Sequence, residues 1–84
     1  MKFFTYIIYS SITDRYYIGV TSNISERLAK HNTNHKGYTG NANDWILEYY
    51  EEFQNKTFAL KREKQLKSWK SRERIKELIS KSYK

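Results

Sequence analysis

The first part of the chain alternates aromatic or β-branched segments with short polar breaks, a pattern that predicts β-strands. Phe3–Ser10 and Tyr16–Thr21 are rich in the side chains that strands favour. The five residues Ser11–Arg15 between them suit a hairpin loop, so the two strands are predicted to pair antiparallel. Trp45–Phe53 repeats the pattern and predicts a third strand.

A first helix is predicted between the second and third strands. Asn23 stands in an N-cap position with Glu26 three residues later, which predicts a helix over Ile24–His31. The segment Asn32–Asn43 that follows holds two glycines and little apolar content, and it is predicted to be a loop. Its length is unusual for a plain connection, which points to a functional role.

Two further helices are predicted in the last third of the chain. Lysine, arginine, glutamate and leucine dominate from Thr57 onward. The predicted apolar stripe of the first of these helices is Phe58, Ala59, Leu66 and Trp69. Ser71 is the predicted N-cap of the other, whose apolar positions are Ile75, Leu78 and Ile79. The order β-β-α-β-α-α predicts an α+β fold, and 84 residues predict one domain over 1–84.

Composition excludes several classes of protein. The chain has no cysteine, so disulfide scaffolds, thiolate zinc sites and thiol nucleophiles are ruled out. No nucleophile elbow or glycine-rich phosphate loop is present, which excludes serine hydrolase, P-loop and dinucleotide chemistry. The most apolar run, Phe3–Tyr9, is too short to span a membrane. No targeting signal follows it, so the cytoplasm is the default expectation.

The charge is unevenly distributed. Sixteen lysines and arginines against nine aspartates and glutamates give a net charge of +7. Residues 56–84 carry eleven of the basic and only three of the acidic residues, which favours a polyanionic partner, although a plain solubilising surface remains the alternative. The acidic residues predicted to be solvated surface charges are Asp44, Glu48, Glu51 and Glu52.

Three sets of polar residues are candidates for chemistry. Glu63 falls on the apolar stripe of its helix, where a carboxylate needs either a basic partner or a metal ion. Arg27 and His31 are four residues apart on the first helix, so they share a face that either holds a phosphate or is simply solvated. The hairpin tyrosines are either packing residues or site residues, and Gly19 within the second strand indicates a close approach of backbone or ligand.

Taken in order, these residues resemble the GIY-YIG nuclease domain, specifically the small stand-alone type related to the nuclease domain of excinuclease. The resemblance covers nearly the whole chain. The matching segments are Tyr6–Ile8, Tyr16–Thr21, Glu26–Leu28 with His31 and Asn32, Lys36–Thr39 and Ala59–Lys67. The first motif keeps only its tyrosine, since Phe4 and Thr5 stand where the family has glycine and isoleucine.

The resemblance implies a fold and a reaction. The implied fold is a small three-stranded antiparallel sheet flanked by helices, and the implied reaction is metal-dependent cleavage of a phosphodiester. By the same resemblance, Glu63 is the single protein ligand of one Mg²⁺ or Mn²⁺ ion, and Tyr17 orients or activates the attacking water. Arg27 then holds the scissile phosphate, Tyr6 assists Tyr17, and His31 is a supporting acid or base.

Nucleic acid is the expected partner, with DNA favoured over RNA and a repair or recombination role. The residues expected to contact it are Lys36, Tyr38, Lys61, Lys64, Lys67 and Lys70. Two alternatives remain open: a non-catalytic nucleic-acid-binding module on the same fold, and a protein-interaction domain whose basic face docks on an acidic protein. No membrane partner is expected, while a protein partner for targeting is compatible with the small size of the chain.

Overall fold

The described residues form six elements in the order that the sequence predicts. The computed structural model describes residues 1–33 and 42–82, so most of the predicted loop, including Lys36 and Tyr38, lies outside the described residues. The strands are β1 (Phe3–Ser10), β2 (Arg15–Thr21) and β3 (Ile46–Phe53). The helices are α1 (Ile24–His31), α2 (Lys56–Ser68) and α3 (Arg72–Lys81). None of the described helices has the length and apolar character needed to cross a lipid bilayer.

The sheet is antiparallel throughout and has the strand order β2-β1-β3. Tyr6 on the central strand pairs with Gly19 on β2 and with Tyr50 on β3. Because β2 is an edge strand, no other strand of the sheet pairs with its outer edge. The predicted α+β class with a three-stranded antiparallel sheet is therefore confirmed.

The two faces of the sheet carry separate cores, because side chains alternate along a strand. Tyr6 and Ile8 belong to one core, which also contains Trp45 and has Leu28 of α1 packed against it. The core on the opposite face consists of Ile7, Ile18, Leu66 and Ile75. Helix α1 thus covers one face of the sheet, and α2 and α3 cover the other.

Each helix begins at a side chain that accepts a hydrogen bond from the first turn. Asn23 accepts from the backbone N–H of Glu26, and Ser71 accepts from that of Arg74, as predicted. Asn55 caps α2 in the same way by accepting from the N–H of Phe58, a cap that the sequence analysis missed. The early start of α2 places Phe58 in its first turn.

Phe58 and Trp45 do not lie where the sequence predicts them. Phe58 is 53% exposed instead of lying on the core stripe, and the Lys61 ammonium lies 5.7 Å from its ring centroid. Trp45 is buried but precedes β3, because Asn32 occupies its backbone groups. The Trp45 N–H donates to Oδ1 of Asn32 at 2.7 Å, and the Trp45 carbonyl accepts from Nδ2 at 3.0 Å.

Two of the predicted surface carboxylates are structural. Asp44 accepts hydrogen bonds from the hydroxyls of Ser10 and Ser11 and from the N–H of Ile12, which fixes the β1–β2 turn. These bonds, above all the one from Ser10, lower the pKa of Asp44 to about 2. Glu51 accepts from Nε of Arg62 at 3.1 Å and so joins β3 to α2. The prediction that these carboxylates are merely solvated was wrong, because Asp44 is bonded to the β1–β2 turn and Glu51 to Arg62 of another element.

Substitution Asp44→Asn is expected to lower the unfolding midpoint at neutral pH, because the three hydrogen bonds use both carboxylate oxygens and an amide has only one acceptor oxygen. The folded-state pKa lies below the unfolded value of about 3.9, so the carboxylate stabilises the fold above that value. This contribution disappears as the pH falls toward about 2. Denaturant unfolding followed across acidic pH should show the difference between wild type and variant shrinking; a constant difference would contradict the assignment.

Candidate active site

Tyr6 and Tyr17 lie side by side on one face of the sheet. Tyr6 pairs with Gly19, and Tyr17 is two residues before Gly19 on the same strand. Their ring centroids are 6.4 Å apart. A Cβ atom at Gly19 would lie 2.6 Å from the Tyr6 hydroxyl oxygen and 3.1 Å from Cε2 of Tyr17. The sequence predicted a close approach of backbone or ligand at this glycine, and the groups that approach it in the structure are instead these two tyrosine side chains.

His31 joins the tyrosine pair from the end of α1. Its ring centroid lies 4.9 Å from that of Tyr17, and its Nε2 is hydrogen-bonded to the Tyr6 hydroxyl at 2.9 Å. The donor in this bond depends on the His31 tautomer. His31 is only 7% exposed, whereas Arg27 one turn earlier is exposed. The alternative of an ordinary solvated face therefore fails for His31, which enters the core beside Trp45.

Burial controls the protonation of Tyr6. Desolvation is the largest cause that raises its pKa, followed by the neighbouring Tyr17, and Glu63 adds to the rise. The positive charge of Arg27 acts in the opposite direction. Tyr6 thus keeps its proton at neutral pH, so its hydroxyl positions His31 and does not serve as a base. The same electrostatics place Arg27 and Glu63 within range of the tyrosines.

Glu63 lies on α2, one turn before Lys67. Its side chain is 20% exposed, and its Oε2 lies 3.1 Å from Nζ of Lys67. The Lys67 ammonium also lies 5.9 Å from the centroid of the Tyr17 ring. Lys67 therefore links the carboxylate to Tyr17. Of the two alternatives for Glu63, a basic partner is present, but an i,i+4 pair of this kind contributes only about 0.3–0.5 kcal/mol and is readily exchanged.

Arg27 stands at a small depression on the opposite side of the site. Arg27, His31, Lys30 and Thr33 line a cavity of about 320 Å³. A guanidinium beside an ammonium is suited to the oxygens of a phosphate. Lys30 was missed by the sequence analysis, although its position one residue before His31 was the available signal.

The predicted nucleic-acid contacts do not all lie together. Lys67 is at the site, and Lys64 is about 60° from it around α2 at about 100° per residue. Lys61 is about 120° away and lies over Phe58 instead. Lys70 follows α2 and has a φ of 48°. Around α2, Lys64 therefore lies nearer to Lys67 than Lys61 does.

The donor set fits one kind of metal site. Within residues 1–33 and 42–82, no three histidine, aspartate or glutamate side chains are grouped to hold an ion. Among the described residues, Glu63 is the carboxylate connected to Tyr17 through Lys67. Mg²⁺ is commonly bound through one or two carboxylates while it keeps several waters and takes oxygens from a substrate phosphate. The site is thus compatible with a single magnesium ion on Glu63.

The chain belongs to the GIY-YIG family, since the family model of the GIY-YIG catalytic domain matches residues 2–76. Its fold is that of a nuclease-type domain. A similar solved structure is that of the UPF0213 protein BH0048 from Bacillus halodurans, determined by solution NMR. The TM-score is 0.58 at 24% identity, with 95% of this chain and 84% of that one covered, which shows a shared fold. No curated protein matches the chain.

Proposed function

We propose that this protein is a metal-dependent endonuclease that hydrolyses phosphodiester bonds in DNA. Membership of the GIY-YIG family supports a nuclease-type domain. The observation that carries the proposal is that Tyr17 contacts two groups of partners. The His31 ring centroid lies 4.9 Å from that of Tyr17, and the ammonium of Lys67, which is paired with Glu63, lies 5.9 Å from it.

In this proposal, each of these residues and their neighbours has a separate role. Tyr17 is half-buried, and its hydroxyl orients the water that attacks the phosphorus. Arg27 is exposed at its depression and binds the scissile phosphate. Tyr6 holds Nε2 of His31 in place, and the His31 imidazole donates a proton to the leaving sugar oxygen as the bond from that oxygen to phosphorus breaks, and regains a proton from the attacking water.

Glu63 holds one Mg²⁺ or Mn²⁺ ion in this proposal. When bound, the ion supplies positive charge that stabilises the developing negative charge on the phosphate and the leaving oxygen. With an ion bound, Glu63 would pair with it, and Lys67 would be available to the phosphate, since its side chain is 53% exposed on a long stem.

The proposed substrate is DNA, with a role in repair or recombination, and a partner protein directs the domain to its site. The net charge of +7 supports a polyanionic substrate that binds largely through its phosphates.

A non-catalytic nucleic-acid-binding module is the second candidate. The observation that favours it is the ion pair between Glu63 and Lys67, which neutralises the carboxylate within the chain itself. In that case the site binds phosphate through Arg27 and Lys67 without cleavage.

Substitution Tyr17→Phe is expected to reduce cleavage of supercoiled plasmid by about 10²-fold or more, because the variant loses only the hydroxyl that orients water. The aromatic packing against His31 and Tyr6 is kept. Cleavage is measured with Mg²⁺, with Mn²⁺ and with EDTA, on plasmid and on branched oligonucleotides.

The matched control for this experiment is Tyr50→Phe. Tyr50 is on β3, 52% exposed, with its ring against Phe4, so the variant loses a hydroxyl on the same sheet but with β1 between it and Tyr17. Metal-dependent cleavage that persists in Tyr50→Phe and is lost in Tyr17→Phe supports the enzyme. Salt-sensitive binding without cleavage on any substrate would favour the second candidate.

A further inference from the structure

A groove runs along the outer side of the edge strand β2, where α2 meets α3. Its volume is about 610 Å³. Its floor is formed by the core residues Ile18, Leu66 and Ile75, and Tyr16 and Tyr17 line its strand side. The basic residues along it are Arg15, Lys67, Lys70 and Arg72. We call this feature the β2–α3 groove.

One end of the β2–α3 groove coincides with the candidate active site. Tyr17 and Lys67 line the groove and are also the residues that connect to His31 and Glu63. The other end is at Asp14 and Arg72. A chain molecule lying along the groove would therefore pass directly beside the tyrosine pair.

The chemistry of the groove combines charge with aromatic surface. Four basic residues line it against one acidic residue, Asp14, and Arg72 forms an ion pair with that carboxylate. The Arg72 guanidinium lies 5.5 Å from the centroid of the Tyr16 ring and also donates to the Asp14 carbonyl at 2.9 Å. These contacts hold a guanidinium and a phenol ring together as a surface on which a planar base can stack.

The backbone conformation of Lys70 is a second feature of the groove. It is the first residue beyond the C-cap of α2, and its φ of 48° lies in the left-handed region that favours glycine. A lysine there opposes the backbone preference, yet it places an ammonium on the rim of the groove.

We propose that the β2–α3 groove binds an unpaired strand of nucleic acid that flanks the cleavage point, a conclusion that rests on the proposed function. Half-buried tyrosine rings beside a basic rim suit exposed bases together with a phosphate backbone. A duplex keeps its base faces stacked inside and offers phosphates and base edges, so it makes no use of the ring of Tyr16. The substrate is then DNA with a single-stranded branch or flap.

The first test compares Tyr16→Leu with Tyr16→Phe. Binding of a labelled single-stranded oligonucleotide and of the matching duplex is measured in EDTA, so that cleavage plays no part. Tyr16→Leu keeps an apolar side chain against the core but loses the ring, and single-strand affinity should fall by about fivefold or more. Tyr16→Phe should bind as the wild type does, and duplex affinity should change by less than about twofold in both variants.

The second test compares Lys70→Gly with Lys81→Gln, which remove the same charge. Lys81 is paired with Glu77 at the end of α3, away from the groove. Lys70→Gly should keep or raise the thermal midpoint, because glycine suits the left-handed backbone, so weaker binding cannot be attributed to unfolding. For single-strand binding by Lys70→Gly, the slope of log K against log salt concentration should become shallower by about 0.7. Lys81→Gln should leave that slope unchanged.

The outcomes of these experiments test the groove proposal independently of the nuclease proposal. Equal losses of single-strand and duplex affinity in Tyr16→Leu, or equal effects of Lys70→Gly and Lys81→Gln, would overturn the groove proposal even if plasmid is cleaved. Displacement of the oligonucleotide by an acidic peptide but not by unlabelled single strand would overturn it in favour of a protein partner. Selective single-strand binding without cleavage would sustain the groove while the nuclease proposal fails.

Discussion

Replacing Glu63 by glutamine is expected to reduce DNA cleavage by about 10³-fold or more while DNA binding in EDTA stays near the wild-type level. The amide keeps the size of the side chain but loses the charge that holds the ion, and a bound metal ion supplies several kcal/mol of stabilisation to a phosphoryl transition state. The folded state should lose only about 0.3–0.5 kcal/mol, since the variant breaks one i,i+4 pair with Lys67. Initial rates on supercoiled plasmid at several Mg²⁺ concentrations measure the effect.

The control is Glu77→Gln on α3. Glu77 forms the same kind of pair with Lys81, at 3.4 Å, and both side chains are well exposed. This variant should lose a similar ion pair without any change in cleavage. A Glu63→Gln variant that still cleaves with an unchanged Mg²⁺ dependence would show that the metal is bound elsewhere, and equal losses in the two variants would indicate a general effect of charge.

The elements of this fold could be predicted because their signals are local. Phe3–Ser10 is predicted with the same bounds as β1, and Ile24–His31 with the same bounds as α1. Asn23 marks the start of its helix through a hydrogen bond to a residue three positions later. Such a bond depends on neighbouring residues alone, so a single sequence is enough to identify it.

Features that depend on tertiary contacts could not be predicted in the same way. The burial of His31 requires Trp45, fourteen residues away, which packs against it. The structural role of Asp44 requires Ser10, which lies in a different strand region and donates a 2.5 Å hydrogen bond. The residues next to His31 or Asp44 in the sequence are no different from those next to a solvated polar residue. Their partners are therefore identified only in the folded structure.

The residues of the candidate site also fall into those with a local signal in the sequence and those without one. Glu63 stood out because it interrupts an apolar stripe, and Gly19 because it interrupts a strand. Gly19 lies against the tyrosine pair, and Glu63 is connected to Tyr17 through Lys67. Lys67 showed no anomaly in the sequence, since it is one lysine among many in a basic helix. Its link between Glu63 and Tyr17 follows only from the way α2 passes the edge of β2.

Substitution Gly19→Ala is expected to impair both the fold and the site. The added methyl group would lie 2.6 Å from the Tyr6 hydroxyl oxygen and 2.8 Å from its Cζ, so the buried Tyr6 ring must move. Overpacking of this kind costs about 1–3 kcal/mol. A shift of Tyr6 carries Tyr17 and His31 with it, and displacement of reacting groups by about 1 Å can cost about 10²-fold in rate. Denaturant unfolding and plasmid cleavage measure the two effects.

The double variant Gly19→Ala with Tyr6→Leu tests whether the collision with Tyr6 is the cause. Leucine has no atoms where the outer ring carbon and hydroxyl of Tyr6 lie, so the added methyl group meets only Cε2 of Tyr17 at 3.1 Å. The cost of Gly19→Ala should fall below about 1 kcal/mol in the Tyr6→Leu background, as expected for coupled neighbours. Cleavage should remain low, because Tyr6 no longer holds His31. An equal cost in both backgrounds would assign the need for glycine to the strand backbone and not to the tyrosine pair.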